Sequence, residues 1–267
     1  MLQRFSHRFD EQRLAAVLVV PTERDRAPVR TALSITRGRR GRLRALCLTR
    51  PGEGLPPELR IALFGLSGTS EADLAIKNLI SSATRGAHTA VHPIGEQEEE
   101  RREQAAQLAA LDPDLPLLVG WSRTGPLPRL DRLLPLIEGF RGYVVLLADT
   151  DGPLPTEVLG LLPAPGDRCR AAVEALVCDL ERTLPAYRVA EAKARGAIQD
   201  CTDRTLVVAA LPPQTDLESA VPGRVALVLA PTPDRSEVIA ALFEQIRLGR
   251  QTRAASAAVP PPPRPAL

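Results

Sequence analysis

The sequence is poor in aromatic residues and has no marked excess of charge of either sign. Aromatic residues make up 3 % of the 267 residues, and Trp121 is the single tryptophan. Because stacking of bases needs exposed aromatic rings, this composition argues against single-stranded nucleic acid as a ligand. The 34 basic residues stand against 32 acidic ones, for a formal net charge of +2, which excludes a nucleic-acid binder that works through bulk charge.

Long hydrophobic runs and clustered metal ligands are also missing. No stretch approaches the roughly 18 consecutive apolar residues of a membrane span, so no membrane insertion is expected. The amino-terminal MLQRFSHRFDEQR lacks the apolar run of a signal peptide, which favours a cytoplasmic protein. The four cysteines form no CxxC pair and lie far in sequence from the three histidines. We therefore expect reduced, buried thiols, including Cys178 on a helix, and no metal site.

Familiar enzyme motifs do not occur in the chain. The sequence contains no GxxxxGK[ST], no GxGxxG and no HExxH. Gly120-Trp121-Ser122-Arg123-Thr124 lacks the final glycine of a nucleophile elbow. These observations predict no catalytic residue and favour a non-enzymatic protein. An enzyme of another type on the same fold stays open, because a fold alone specifies no reaction.

Apolar runs of strand length alternate with helical patterns over the first 150 residues. The strand candidates are Leu14 to Val20, Leu43 to Leu48, Ala87 to Ile94, Leu115 to Trp121, and Tyr143 to Ala148. A segment over residues 59–66 is ambiguous between strand and helix, and a further helix begins at Ser70. This alternation predicts an α/β fold with an open, mostly parallel, twisted sheet and helices on both faces.

The order of an apolar strand, a helix and later strands recurs after residue 150. We therefore predict two related α/β halves, a domain over 13–150 and a degenerate second unit over 151–250. A polar lead-in is expected over residues 1–12 and a disordered, proline-rich tail over 251–267, because AVPPPPRPAL cannot form a packed core. Whether the second half shares the sheet of the first stays open.

Two segments of the first half resemble the universal stress protein family. The run AVLVVPTERDRAPVRTALSITRGRRGRLRALCLTRP looks like the opening of such a domain, in which an apolar strand ending in proline precedes a helix, a glycine turn and a strand. The run AHTAVHPIGEQEEERREQAAQLAALDPDLPLLVGWSRTG resembles its second part, whose last strand ends in L-V-G-W. This version is similar to the cytosolic domains attached to cation/proton antiporters. The resemblance covers about residues 11 to 148.

The resemblance also implies a tentative nucleotide or anion site. Some members of the family bind ATP through G-x-x-G after the fourth strand, followed about nine residues later by G-S or G-T. In this chain the second glycine is displaced to Gly125, and the later G-S or G-T is missing. The tentative site consists of Pro21, Thr22 and Glu23 after the first strand and Gly120, Ser122, Arg123, Thr124 and Gly125 after the fourth. Glycines and helix amino termini in such a loop supply the backbone N–H groups that bind phosphate.

Two functions follow as hypotheses. The first is a non-enzymatic cytosolic regulatory or scaffold protein, linked to transport or stress response. It would act through protein contacts, as a homodimer or with a membrane transporter or other protein as partner, and it would need no cofactor. The alternative is a sensor module that binds ATP, AMP or another adenine nucleotide at the loop after the fourth strand.

Overall fold

The computed structural model of the chain describes residues 14–21, 26–39, 42–48, 90–93, 98–150, 152–210 and 223–257. The strands are β1 (Leu14–Val20), β2 (Arg42–Cys47), β3 (Ala90–Pro93), β4 (Leu117–Ser122), β5 (Val144–Asp149), β6 (Glu157–Leu162), β7 (Ala186–Ala190), β8 (Thr205–Ala210) and β9 (Arg224–Leu229). The helices are α1 (Arg26–Gly38), α2 (Glu98–Ala109), α3 (Leu130–Glu138), α4 (Arg170–Glu181), α5 (Ala194–Gln199) and α6 (Arg235–Ala257). The predicted lead-in, the segment over 59–66 and the helix from Ser70 lie outside the described residues.

The described strands form one sheet in the order β3-β2-β1-β4-β5-β9-β8-β6-β7. Neighbours pair parallel from β3 to β5 and from β9 to β7, whereas β5 and β9 pair antiparallel. The second half therefore continues the sheet of the first, which answers the question that the sequence left open. The orders β2-β1-β4-β5 and β7-β6-β8-β9 match strand for strand, so the two halves repeat one connectivity across the β5–β9 seam.

Helices cover both faces of this sheet, as predicted. Every residue of β4, β5 and β9 is buried, which agrees with the continuous apolar runs expected of strands covered on both sides. One core cluster packs alternate strand residues against α3 and α6, and the other packs the remaining strand residues against α1 and α4. The fold is therefore an α/β sandwich of helices around a mostly parallel sheet.

Helices α1 and α4 come from different halves and touch each other over the seam. A Cβ added at Gly38 would lie 1.8 Å from the carbonyl oxygen of Asp179, so only glycine permits this approach. Arg182 donates a hydrogen bond to the carbonyl of Gly38 at 2.7 Å, and Arg39 forms an ion pair with Asp179 at 3.2 Å. The helices thus reinforce the joint that the β5–β9 ladder makes within the sheet.

Two sequence-based expectations are wrong. Helix α6 continues to Ala257, past the predicted start of the disordered tail at Gln251, because Gln, Arg and Ala in QTRAASA are good helix formers. Cys178 of α4 is exposed instead of buried. In addition, α5 was not anticipated from the sequence. Within the described ranges, no helix is both long and apolar enough to cross a bilayer.

Candidate functional site

The predicted site residues that the structure describes lie at the carboxyl ends of two neighbouring strands. Pro21 follows β1 directly and is buried, whereas Thr22 and Glu23 fall outside the described residues. Gly120 and Ser122 belong to β4, which pairs with β1. Residues 123–125 form the turn after β4. In an open α/β sheet, this place beyond the carboxyl ends, between β1 and β4, is where ligands bind.

Gly120 serves the packing of α1 on the sheet. A Cβ at this position would lie 2.5 Å from Cβ of Pro28 and 3.1 Å from Cδ1 of Leu18. Pro28 belongs to the first turn of α1, where proline is well tolerated. The absence of a side chain at Gly120 therefore makes room for α1. The group that lies close to Gly120 is Pro28 of this helix.

Several polar groups of the turn after β4 form hydrogen bonds within the protein. The N–H of Arg123 donates to the carbonyl of Asp149 at 2.7 Å, and the N–H of Gly125 donates to the carbonyl of Ser122 at 3.0 Å. The hydroxyls of Ser122 and Thr124 lie 3.1 Å apart and share a hydrogen bond. Two of the backbone donors that a phosphate would need are thus already used.

Arg250 of α6 holds the same turn from the other side. Its Nη1 donates to the carbonyl of Gly125 at 2.6 Å, and its Nη2 lies 3.4 Å from the carbonyl of Ser122. A guanidinium that binds two carbonyls of one turn fixes the backbone of that turn. The last helix of the second half therefore closes the candidate loop of the first half.

Helix α6 reaches this loop because its first three turns are firmly anchored. The guanidinium of Arg235 is buried and donates to the carbonyls of Ile137 at 2.9 Å, Gly142 at 2.6 Å and Phe140. Burial lowers the pKa of Arg235 below its ordinary value. Further along, the ring of Phe243 meets Trp121 of β4 edge to face, with centroids 4.9 Å apart. Helix α6 is thus attached to the first half at two points, through Arg235 at its start and through Phe243 in its third turn.

A buried ion pair next to the loop was not anticipated from the sequence. Nε of Arg224 donates to Oδ1 of Asp149 at 2.5 Å, and the two side chains are 1 % and 0 % exposed. The other guanidinium nitrogens donate to the carbonyls of Asp203 at 3.1 Å, Gly152 at 3.2 Å and Thr150 at 3.3 Å. Asp149 ends one apolar run and Arg224 begins another. A charged residue at the end of an apolar strand was thus visible in the sequence at both positions. The sequence did not show that the two residues pair, because they are 75 residues apart.

Polar groups of α1 extend this cluster. Nη2 of Arg30 lies 3.4 Å from the carbonyl of Gly152, which also accepts from Arg224. Nε of Arg30 and the hydroxyl of Thr150 are buried and have no hydrogen-bond partner among the described residues. Burial raises the pKa of Asp149, although the hydroxyl of Thr31 and the charge of Arg224 act in the opposite direction. Two arginines, Arg30 and Arg224, thus meet at the carbonyl of Gly152, and Arg224 alone is paired with the carboxylate of Asp149.

The described side chains provide no group of three or more histidine, cysteine, aspartate or glutamate residues that could hold a metal ion. No family model matches the chain, and no curated protein matches it either.

Proposed function

We propose that this chain is a non-enzymatic regulatory protein of the universal stress protein type that acts through protein contacts in the cytoplasm. The observation that carries the proposal is that polar backbone groups of the turn after β4 are already hydrogen-bonded to other parts of the protein. Arg250 binds the carbonyls of Ser122 and Gly125, and the N–H groups of Arg123 and Gly125 are bonded within the protein. A loop used in this way serves as a joint between the two halves.

The edge strand β7 supplies a surface for such contacts. Among the described strands it is the outermost one on the β6 side of the sheet, and the side chain of Tyr187 is 59 % exposed. An edge strand presents backbone N–H and C=O groups that can pair with another chain, and aromatic residues are enriched in protein interfaces. A second copy of this chain, a membrane transporter or another protein linked to transport or stress response is the proposed partner.

Site-specific photo-crosslinking tests this proposal in the full chain. A benzoyl-phenylalanine replaces Tyr187, and a matched variant carries the same group at Leu248, which is 52 % exposed on α6. We expect a discrete crosslinked protein from position 187 and none from position 248. Equal yields from both positions, or none from either, would contradict an interface at β7. Catalytic turnover of the purified protein that a site variant abolishes would overturn the non-enzymatic assignment.

The alternative, an adenine-nucleotide sensor, is favoured by one observation. Arg30 brings a positive charge, and its Nε and the hydroxyl of Thr150 are buried donors without a partner among the described residues, near Asp149, whose carbonyl binds the turn after β4. Phosphate groups are bound well by arginine and by hydroxyl donors. ATP, AMP or another adenine nucleotide would then lie across the carboxyl edge of β4 and β5, with Arg123 close to its phosphates.

Thermal unfolding with and without millimolar ATP, ADP and AMP separates the two functions. A ligand at one hundred times its Kd adds about 2.7 kcal/mol to the stability of the folded protein, which raises the midpoint visibly. The regulatory proposal predicts no shift. A shift that is lost in the Arg123→Ala, Gly125→Val double variant would replace it with the sensor function.

A further inference from the structure

A half-open cavity of about 560 Å³ lies at the end of the sheet opposite the Ser122–Gly125 turn. Its walls include Val145 of β5, Val228 of β9 and Leu176 of α4, together with Tyr143, which directly precedes β5. Its volume falls within the range of about 300 to 1,000 Å³ that is typical of small-molecule sites. The cavity spans the seam, so both halves contribute to its lining.

The repeat of the two halves explains why space remains there. Helices α1 and α4 each follow the first strand of their half, and they begin with the similar sequences RAPV and RAAV. In α1, Ala27 and Thr31 are buried against the sheet. At the same distances from the start of α4 stand Ala171 and Ala175, which are exposed and line the cavity. The cavity is therefore the counterpart of a space that is filled in the first half.

The β5–β9 ladder identifies what fills that space. One step beyond its last pair, Ala148 with Val225, the ladder places Asp149 opposite Arg224, whose ion pair lies beside Thr31. One step beyond its other end, the ladder places Tyr143 opposite Ala230. This second position of the ladder carries a tyrosine and an alanine instead of a charged pair, and Tyr143 lines the cavity together with Val145 and Val228.

Four charged side chains also line the cavity, namely Arg39, Asp114, Asp179 and Arg182. Arg39 is neutralised, because its guanidinium binds the carboxylate of Asp179 at 3.2 Å and the carbonyl of Asp114 at 2.9 Å. Arg182 donates to the carbonyl of Gly38, and its charge also acts on the carboxylate of Asp179. Arg39 and Arg182 thus share one carboxylate, which leaves one positive charge in excess beside Asp179 at the cavity wall. The carboxylate of Asp114 and the guanidinium of Arg182 are both exposed to solvent, which screens both charges.

We propose that this cavity binds a small molecule with a flat, mostly apolar body and one anionic group. The body lies between Tyr143 and the alanines Ala171 and Ala175, and the anionic group faces Arg182. The site is separate from the turn after β4 and does not depend on the regulatory function proposed above.

Two fluorescent probes test this site in the full chain. 8-Anilinonaphthalene-1-sulfonate has the proposed chemistry, and N-phenyl-1-naphthylamine has the same aromatic body without a charge. Ala175→Phe fills the cavity from an exposed helix position, and Ala241→Phe on the exposed side of α6 is its matched control. Arg182→Gln removes the cation, and Arg195→Gln, also exposed, is the control for that loss of charge.

We expect saturable binding of one sulfonate probe per chain. Ala175→Phe should weaken it at least tenfold, and Ala241→Phe should not change it. Arg182→Gln should weaken the sulfonate about threefold to tenfold and leave the neutral probe unchanged, because only the anion contacts the guanidinium. Ala171→Leu serves as the filling variant if Ala175→Phe does not fold. Absence of saturable binding, or equal binding by the filled variant and its control, would overturn the proposal.

Discussion

Asp149 and Arg224 face each other across the seam between the two halves, and their side chains form a buried ion pair at 2.5 Å. Asp149 is the last residue of β5 and Arg224 is the first residue of β9. The neighbouring ladder pair is Ala148 with Val225, so the ion pair forms only in the observed register. A one-residue slip of β9 would separate the two charges and leave both without compensation. The pair therefore specifies how the two halves join.

Replacement of Arg224 by methionine should strongly destabilise the protein. The change leaves the carboxylate of Asp149 buried without its cation, which typically costs about 3 to 5 kcal/mol. The measurement is urea-induced unfolding followed by the fluorescence of Trp121, which is 1 % exposed.

The matched double variant, Asp149→Asn with Arg224→Met, separates loss of the pair from loss of packing. It should be more stable than Arg224→Met alone, because no charge is then left unpaired. If the single variant is as stable as the double variant, the charge of Asp149 is not compensated by Arg224.

The stability contribution of Asp149 should depend on pH. Burial raises the pKa of this carboxyl above its ordinary value of 3.8, so the folded protein holds the proton more tightly than the unfolded chain does. The resulting stabilisation is complete below 3.8 and is lost as the pH rises through the raised pKa. The free energy of unfolding of the unchanged protein, relative to Asp149→Asn, should therefore fall as the pH rises above about 4. Urea unfolding of both proteins across this range measures the difference, and a flat or rising difference would show that burial does not dominate.

Gly120→Ala should destabilise the protein because there is no room for a methyl group. The added Cβ would lie 2.5 Å from Cβ of Pro28, and overpacking of this kind costs about 1 to 3 kcal/mol. Gly196→Ala on α5 is the control, since nothing lies within 4 Å of its added Cβ and alanine is the better helix former by about 0.5 to 1 kcal/mol. Thermal midpoints should move in opposite directions, and a stable Gly120→Ala would mean that α1 does not press on β4.

Phe243→Ala should detach part of α6 from the sheet. Truncation of a buried phenylalanine costs about 3 to 5 kcal/mol, and the ring of Trp121 loses its edge-to-face partner. We expect lower stability in urea and emission from Trp121 at longer wavelength. Leu248→Ala, which removes an exposed side chain of the same helix, should change stability by less than about 0.5 kcal/mol and leave the emission unchanged. An unchanged emission of Phe243→Ala would argue against this contact.

Periodicity predicts the fold well because the strands are apolar on both faces and end at turn residues. The predicted run Leu14 to Val20 coincides with β1, and the predicted run Tyr143 to Ala148 overlaps β5. What periodicity cannot supply is which strands become neighbours. The pairing of β5 with β9, and with it the contact of Asp149 with Arg224, depends on packing between segments 75 residues apart.

The candidate site shows the same limit. The sequence marks the turn after β4 through its glycines and polar residues, and that turn lies at the carboxyl end of the strand as expected. The sequence gives no sign that Arg250, 125 residues further along, binds this turn. A long-range side-chain contact leaves no periodic trace in either segment.

Because the two halves that meet at the β5–β9 seam belong to one chain, their association does not depend on protein concentration. Two separate α/β units that met along β5 and β9 would come apart at low concentration. Here both strands belong to one polypeptide, so the effective concentration of one half at the other is fixed by the chain that links them. Dilution therefore does not weaken the contacts between the two halves. These contacts are the β5–β9 pairing, the packing of α1 on α4, and the hydrogen bonds of Arg250 to the turn after β4.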